Sequence, residues 1–195
     1  MIALPEGRPI VVALCGSNGA GKSTFYEAFL APAGLRFVNA DEISRELEID
    51  AYAAAKIAAR IREELIVRGE SFVFETVLSD PVGEKVASMA RWQAKGHTVV
   101  MCFIGLSDAR ISDTRVAMRV SQGGHDVPTD KIKSRFPRTL ENLKRAIDSL
   151  EHVLVYDNSG LRAPYRQLAR FEAGKAVQLE SPLPLWFKRL LPKSK

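Results

Sequence analysis

Eight residues near the N-terminus have the types and spacing of a phosphate-binding site: Gly16-Ser17-Asn18-Gly19-Ala20-Gly21-Lys22-Ser23, which fits G-x-x-x-x-G-K-[ST]. Glycines let the backbone turn its N–H groups toward phosphate oxygens, the lysine brings a positive charge to the β- and γ-phosphates, and the serine hydroxyl suits Mg²⁺. The pattern follows the apolar run Ile10–Cys15 and precedes a helical stretch, Thr24–Leu30, in the order that such a loop requires. The sequence therefore predicts a phosphate-binding loop (P-loop) for ATP, with contacts from Gly16 to Thr24 and Ser23 as the Mg²⁺ ligand.

Other motifs narrow the class of P-loop protein. The sequence contains no guanine-reading N-K-x-D, and its one Asp-Glu pair, Asp41-Glu42, comes too early to position water as in motor ATPases. Transfer of phosphate to a small acceptor remains as the predicted reaction.

Such a kinase needs a carboxylate that accepts the proton of the acceptor hydroxyl. Asp41 and Glu75-Thr76 come where the second and third predicted strands end, and the carboxyl ends of parallel strands form the usual site in open α/β sheets. Glu75 is expected to face the cleft, because an unpaired carboxylate is costly to bury. For Asp41 two interpretations stay open: the catalytic base, or the N-cap of a helix over 42–47.

Positive charge is concentrated between residues 108 and 145, where nine Lys and Arg face five Asp and Glu. Arg115 and Arg119 share a helix face, and further cations follow at helical spacing; these are Lys131, Arg135 and Arg138. One interpretation is a solvated face. The other is a lid of two helices joined by 123–125, whose planar guanidinium groups bind ATP phosphates bidentately.

Alternating apolar runs and helical patterns predict an α/β fold: a five-stranded, mainly parallel sheet flanked by helices, with a helical arginine lid. Residues 1–160 form the P-loop kinase domain, with the lid at about 107–145, and 161–195 form a C-terminal extension of that domain. Helices are expected over Ala51–Arg68 and from Asp80-Pro81 to Gly96, and Pro137 is expected to kink or split the second lid helix. The predicted strands are Ile10–Cys15, Leu35–Asn39, Phe72–Glu75, Thr98–Ile104 and Val153–Tyr156.

Composition sets outer limits on the function. The chain has 195 residues, a formal charge of +5 and no apolar run near the ~20 residues of a membrane span. We expect no signal peptide and no transmembrane segment, and the separated Cys15 and Cys102 predict reduced, buried thiols in a cytoplasmic protein. Nucleic-acid binding is a minor alternative, because the basic helices lack interleaved aromatic residues. The basic, apolar tail Leu185–Leu191 is expected to pack on its own domain, with a membrane or partner contact as the alternative.

The loop Asp157-Asn158-Ser159-Gly160 follows the last predicted strand. It is interpreted either as a contact to the purine of ATP, through Asn158, or as a turn held by Asx hydrogen bonds.

Taken together, these segments resemble the zeta toxin family over roughly residues 9–160. Beyond the P-loop, the ordered set that carries the resemblance is Val38-Asn39-Ala40-Asp41-Glu42, Phe74-Glu75-Thr76, Arg115–Val120 with Gly123-Gly124-His125, Arg135-Phe136-Pro137-Arg138 with Asn142-Leu143, and Tyr156-Asp157-Asn158-Ser159. Family members have a nucleoside-monophosphate-kinase-like fold.

The resemblance implies an ATP- and Mg²⁺-dependent kinase that phosphorylates the 3′-hydroxyl of the sugar of UDP-N-acetylglucosamine, blocked at its ATP site by a small helical antitoxin. It makes Asp41 the catalytic base, and Glu75 and Thr76 contacts of the nucleotide-sugar. Lys22 and Ser23 become the phosphate and metal groups, and Arg119 with Arg135 or Arg138 the lid cations. Some relatives act on other nucleotide-type acceptors, NAD among them, and this remains the alternative substrate class.

Overall fold

A computed structural model describes residues 2, 4–5, 7–121, 127–160 and 162–191. One sheet runs through the molecule, in the order β2-β3-β1-β4-β5-β6-β7. The first five strands are parallel and the last two antiparallel. The strands are β1 (Ile10–Cys15), β2 (Arg36–Val38), β3 (Phe72–Thr76), β4 (Thr98–Gly105), β5 (His152–Asp157), β6 (Arg166–Glu172) and β7 (Lys175–Leu179).

The predicted number of strands is wrong, although all five predicted strands are present. The sheet has seven strands because the 161–195 segment adds β6 and β7 beside β5. Every side chain of β7 is exposed, Val177 and Leu179 included, so the strand has no buried face.

In the part of the chain that the structure describes, seven α-helices connect and cover the strands. They are α1 (Lys22–Phe25), continued by a π-helical turn over Tyr26–Leu30, then α2 (Ala40–Glu46), α3 (Ala51–Val67), α4 (Glu84–Ala94), α5 (Ala109–Ser121), α6 (Thr129–Ser149) and α7 (Leu185–Lys188). None of the helices in the described ranges is long and apolar enough to cross a membrane.

One helix prediction is wrong, and one of two alternatives for another is excluded. The helix α4 begins at Glu84 after Gly83, and not at Asp80-Pro81. The helix α6 continues through Pro137 and is not split there. The hydroxyl of Thr139 donates to the carbonyl oxygen of Arg135 at 3.0 Å and so adds a bond in the turn where proline supplies no N–H donor. The predicted hinge of the lid, Gly123-Gly124-His125, lies outside the described residues.

The core lies on both faces of the sheet, because successive side chains of β1 and β4 point to opposite faces and both are covered. On one face Val11 and Ala13 pack with residues of α3, α4 and α6. On the other, Val12 and Leu14 pack with Phe25 and Leu30. Cys15 and Cys102 are free and buried, as predicted, and burial raises the pKa of both thiols, that of Cys15 to about 12.

The apolar tail packs on the sheet, as expected. Trp186 and Phe187 of α7 are buried and belong to the same cluster as β4 and β6. The indole ring of Trp186 lies so close to Gly105, the last residue of β4, that a Cβ atom there would overlap it. Its Nε1 donates to Oδ1 of Asp157 at 3.1 Å, which ties the tail to the ends of β4 and β5.

Candidate active site

The P-loop lies at the carboxyl end of β1, between β3 and β4, where the connections of the sheet diverge to its two sides. Gly21 is the N-cap of α1 in the left-handed region, with φ +90°, and a Cβ atom there would lie 2.7 Å from Oη of Tyr165. The loop therefore requires glycine at this position both for its backbone and for the close approach of the tyrosine.

Two polar atoms of the loop are buried without a hydrogen-bond partner in the described part of the chain: Oγ of Ser17 and Oδ1 of Asn18. Buried polar atoms left unpaired cost free energy. A ligand that offers hydrogen-bonding atoms to the loop would relieve this cost.

Lys22, Ser23 and Glu75 meet at the start of α1. The buried ammonium of Lys22 donates to the carbonyl oxygen of Ser17 at 3.0 Å and lies 3.5 Å from Oε1 of Glu75. The hydroxyl of Ser23 donates to Oε2 of the same carboxylate at 3.2 Å. Glu75 thus faces the cleft and contacts the two side chains that were predicted to bind phosphate and metal.

Asp41 is exposed in the first turn of α2. It is not the N-cap of this helix, which was one of its two interpretations. The cap is Asn39, whose Oδ1 accepts from the backbone N–H of Asp41 at 2.9 Å. The strand β2 pairs with β3 at Val38 and Phe74, so Asn39 and Glu75 follow at the same edge. Burial raises the pKa of Glu42, the residue after Asp41; the charge of Arg45 opposes this effect, and neighbouring carboxylates, Glu75 among them, add to it.

Asn158 and Tyr165 hold the P-loop from the β5 side. The buried amide of Asn158 donates to the carbonyl oxygen of Ala20 at 2.8 Å. The hydroxyl of Tyr165 donates to the carbonyl oxygen of Gly21 at 2.9 Å. The loop after β5 is also tied internally, because Ser159 donates to Asp157 at 2.5 Å and accepts from the N–H of Ser107. The structure therefore places Asn158 against the loop backbone. The sequence did not reveal Tyr165, which lies beyond the predicted kinase domain.

The helix α5 lies against the P-loop. The buried hydroxyl of Ser112 donates to the carbonyl oxygen of Asn18, and a Cβ atom at Gly19 would lie 3.2 Å from Cβ of Arg115, one turn later on α5. The structure thus brings Arg115 to the P-loop. Arg119 follows on the same helix and is exposed.

On α6, Arg138 donates through Nε to the carbonyl oxygen of Ser134 at 3.0 Å. Burial lowers the pKa of Lys85, Asp80 opposes this effect, and the charge of Arg135 adds a small lowering.

Thr76 contacts a cation that the sequence did not single out. Lys85 of α4 donates to Oγ1 of Thr76 at 2.7 Å. Arg62 of α3 lies with its guanidinium carbon 5.0 Å from the centroid of the Phe74 ring. Lysine and arginine in amphipathic helices usually lie in water, so no sequence signal marked these two as site residues.

The comparisons with known proteins agree with this geometry. A sequence profile described as Zeta toxin matches residues 39–167. The chain belongs to the Zeta toxin family. One relative of this Zeta toxin family member is an uncharacterized protein of Haemophilus influenzae, 28% identical over 130 residues, which cover 63% of this chain and 89% of the relative.

Solved structures show the fold of this Zeta toxin family member. An AvrRxo1-ORF1:ORF2 complex with ATP superposes with a TM-score of 0.73 at 18% identity, covering 96% of this chain and 66% of that one. The toxin–antitoxin system PezAT of Streptococcus pneumoniae superposes with a TM-score of 0.56 at 18% identity, covering 83% and 72%.

The chain spans about two thirds of the length of the AvrRxo1 chain. The fold is that of a P-loop kinase.

Proposed function

We propose that this Zeta toxin family member is an ATP-dependent kinase that phosphorylates the 3′-hydroxyl of the sugar of UDP-N-acetylglucosamine. The observation that carries the proposal is the meeting of Lys22, Ser23 and Glu75 at the ends of β1 and β3, with Asp41 just after β2, which pairs with β3. Support for ATP comes from the similar AvrRxo1 complex, which contains it.

In the proposed reaction, Asp41 accepts the proton of the acceptor hydroxyl as its oxygen attacks the γ-phosphorus. The bond from that phosphorus to the bridging oxygen of the β-phosphate breaks, and ADP leaves. The exposed carboxylate of Asp41, whose helix is capped by another residue, is free to change its hydrogen-bonding partner without loss of the cap. Asn39 and the pairing of β2 with β3 hold it at the edge of the cleft.

The cations have separate tasks in this proposal. Lys22 exchanges Glu75 for the β- and γ-phosphates, and the P-loop N–H groups from Gly16 to Thr24 bind the remaining phosphate oxygens. Arg115 and Arg119 of α5 and Arg135 and Arg138 of α6 lie in the two helices proposed to cover the transferring phosphate and exclude water. Asn158 would bind ATP indirectly, through the loop backbone that it holds.

The residues at the P-loop fit a magnesium ion. Ser23 and Glu75 supply a hydroxyl and a carboxylate oxygen in contact with each other, which are the hard oxygen donors that Mg²⁺ prefers. Within the described ranges no group of three or more His, Cys, Asp and Glu side chains could hold a metal, so Mg²⁺ would be shared with the nucleotide. When bound, it would neutralise charge on the phosphates.

The acceptor is tested by incubating the purified protein with ATP, Mg²⁺ and one of three acceptors. We expect mass spectrometry to show one added phosphoryl group on UDP-N-acetylglucosamine and none on free N-acetylglucosamine. NAD serves as the third acceptor, and a product there in place of the nucleotide-sugar would favour the alternative substrate class. A folded, ATP-binding protein that modifies none of the three would contradict the proposed acceptor.

We propose further that the protein is a toxin that binds a small antitoxin protein, because the similar PezAT structure is described as a toxin–antitoxin system. We expect expression of the protein in bacteria to arrest growth, and the Asp41→Asn variant to leave growth unaffected at equal protein level. Co-expression of a small helical protein encoded next to this gene is expected to restore growth and to compete with ATP for binding. Equal arrest by both forms would separate toxicity from phosphoryl transfer and contradict this assignment.

A further inference from the structure

A cavity of about 390 Å³ lies on the face of the sheet that packs with α1, away from the acceptor side of the cleft. Val100 of β4 and Leu154 of β5 form its floor, and its lining extends to β6 and β7. Ligand sites are concave, roughly 300–1,000 Å³ in volume, and mostly apolar with a few polar groups. The size and position of the cavity therefore suit a small molecule.

One wall of the cavity is aromatic. Four rings from two parts of the chain form it: Phe25, Phe29, Tyr156 and Tyr165. The ring centroids of Phe25 and Tyr156 lie 4.9 Å apart, and those of Phe29 and Tyr165 lie 5.8 Å apart. Aromatic rings attract further rings in offset or edge-to-face arrangements. This wall therefore favours a ligand with a flat aromatic body.

Tyr156 brings an unpaired polar group to this wall. Its side chain is only 7% exposed, and its hydroxyl has no hydrogen-bond partner in the described part of the chain. Burial raises the pKa of Tyr156, so the hydroxyl keeps its proton and can donate it to a hydrogen bond. A buried donor without an acceptor costs free energy. A ligand with an acceptor oxygen at this point would remove that cost.

Another part of the lining carries positive charge. Arg170 of β6 binds Glu172 through one nitrogen, which leaves other N–H groups of its guanidinium for a ligand. His152, at the start of β5, also lines the cavity, and its ring forms no hydrogen bond with the described residues. None of the described residues that line the cavity is acidic. The charge and the free donors here favour a carboxylate.

The cavity is distinct from the nucleotide site, although the two share a boundary. None of the residues from Gly16 to Ser23 lines the cavity. Tyr165 and Phe25 form the boundary, because the hydroxyl of Tyr165 and the backbone N–H of Phe25 both donate to the carbonyl oxygen of Gly21, each at 2.9 Å. A ligand in the cavity would contact these two residues and leave the P-loop open to ATP.

We propose that this cavity is a second ligand site, which binds a small aromatic carboxylate with an acceptor oxygen at the far end of its ring system. The ring lies against Phe25 and Tyr165. The carboxylate binds the guanidinium of Arg170, whose planar fork suits it, and the far oxygen accepts from Tyr156. Leu154 pairs with Arg170 and lies two residues, or about 7 Å of strand, from Tyr156, so one molecule with two fused rings can reach both polar groups.

Calorimetry tests the site, with the P-loop saturated by a non-hydrolysable ATP analogue and 6-hydroxy-2-naphthoate as the probe. Arg170→Met keeps the length of the side chain and removes its charge. It is expected to weaken probe binding by about 10- to 100-fold, the usual effect of losing a hydrogen bond to a charged group. Lys175→Met is the matched control, because Lys175 is exposed on the neighbouring strand and does not line the cavity, and its binding is expected to stay within about twofold of the parent protein.

A second probe isolates the hydroxyl of Tyr156. Tyr156→Phe is expected to weaken binding of 6-hydroxy-2-naphthoate by about 2- to 10-fold and to leave binding of 2-naphthoate, which lacks the ring hydroxyl, unchanged. Tyr165→Phe keeps the ring in the cavity and removes the bond to Gly21, so it is expected to lower ATP affinity and leave probe binding within about twofold.

Three results would overturn the site. The first is no binding of 6-hydroxy-2-naphthoate at millimolar concentration. The second is binding that the ATP analogue abolishes, because the probe would then occupy the nucleotide site. The third is equal binding by the parent protein and by both Arg170→Met and Tyr156→Phe.

Discussion

Asp41→Asn is expected to lower kcat by about 10²- to 10⁴-fold, the range for loss of a general base, and to leave ATP affinity unchanged. The amide has almost the shape of the carboxylate and cannot accept the proton of the acceptor hydroxyl. Stability should stay within about 0.5 kcal/mol of the parent protein, because Asp41 is exposed and Asn39 caps its helix. Single-turnover phosphoryl transfer and calorimetric titration of ATP measure the two quantities.

Glu46→Gln is the matched control for this prediction, because it removes one negative charge from an exposed position on the same helix. Its kcat is expected to match that of the parent protein. If Asp41→Asn keeps more than a third of the parent kcat, another group accepts the proton and the assignment of Asp41 is wrong.

The largest effect on stability is expected at the tail. Trp186→Ala should lower the free energy of unfolding by about 3–5 kcal/mol, because it removes a nearly buried indole and leaves a cavity beside Gly105. It also leaves Asp157 without the indole N–H that it accepts at 3.1 Å. Denaturant unfolding followed by circular dichroism measures the change.

Leu185→Ala is the control, since Leu185 is 70% exposed one residue earlier on the same helix, and its effect is expected within about 0.5 kcal/mol. Trp186→Phe keeps most of the ring and loses the hydrogen bond, so a cost of about 1 kcal/mol is expected. Equal unfolding midpoints for Trp186→Ala and the parent protein would show that the tail does not contribute to the stability of the sheet.

The position of the P-loop could be predicted from sequence because the loop is one continuous segment. The residues from Gly16 to Ser23 are contiguous, and the strand and helix around them have the expected apolar patterns. Asp41 and Glu75 could be placed because each follows a strand, and the parallel pairing of β2 and β3 brings their ends together.

The rest of the site depends on contacts between distant segments. Arg62 and Lys85 are surface residue types in amphipathic helices, and their contacts with β3 arise from where α3 and α4 cross its end. Tyr165 reaches Gly21 across 144 residues of sequence. No spacing rule relates such residues, and only the packed sheet brings them together.

The last two described strands also determine which strand forms the edge of the sheet. Without β6, the apolar strand β5, with Val153, Leu154 and Val155, would form the open edge of the sheet, and such an edge invites pairing between molecules. Instead β7 is the edge: it is five residues long, begins with Lys175 and has no buried side chain. A chain that ended before β6 would therefore leave β5 as its edge, so the hairpin keeps this apolar strand paired on both sides.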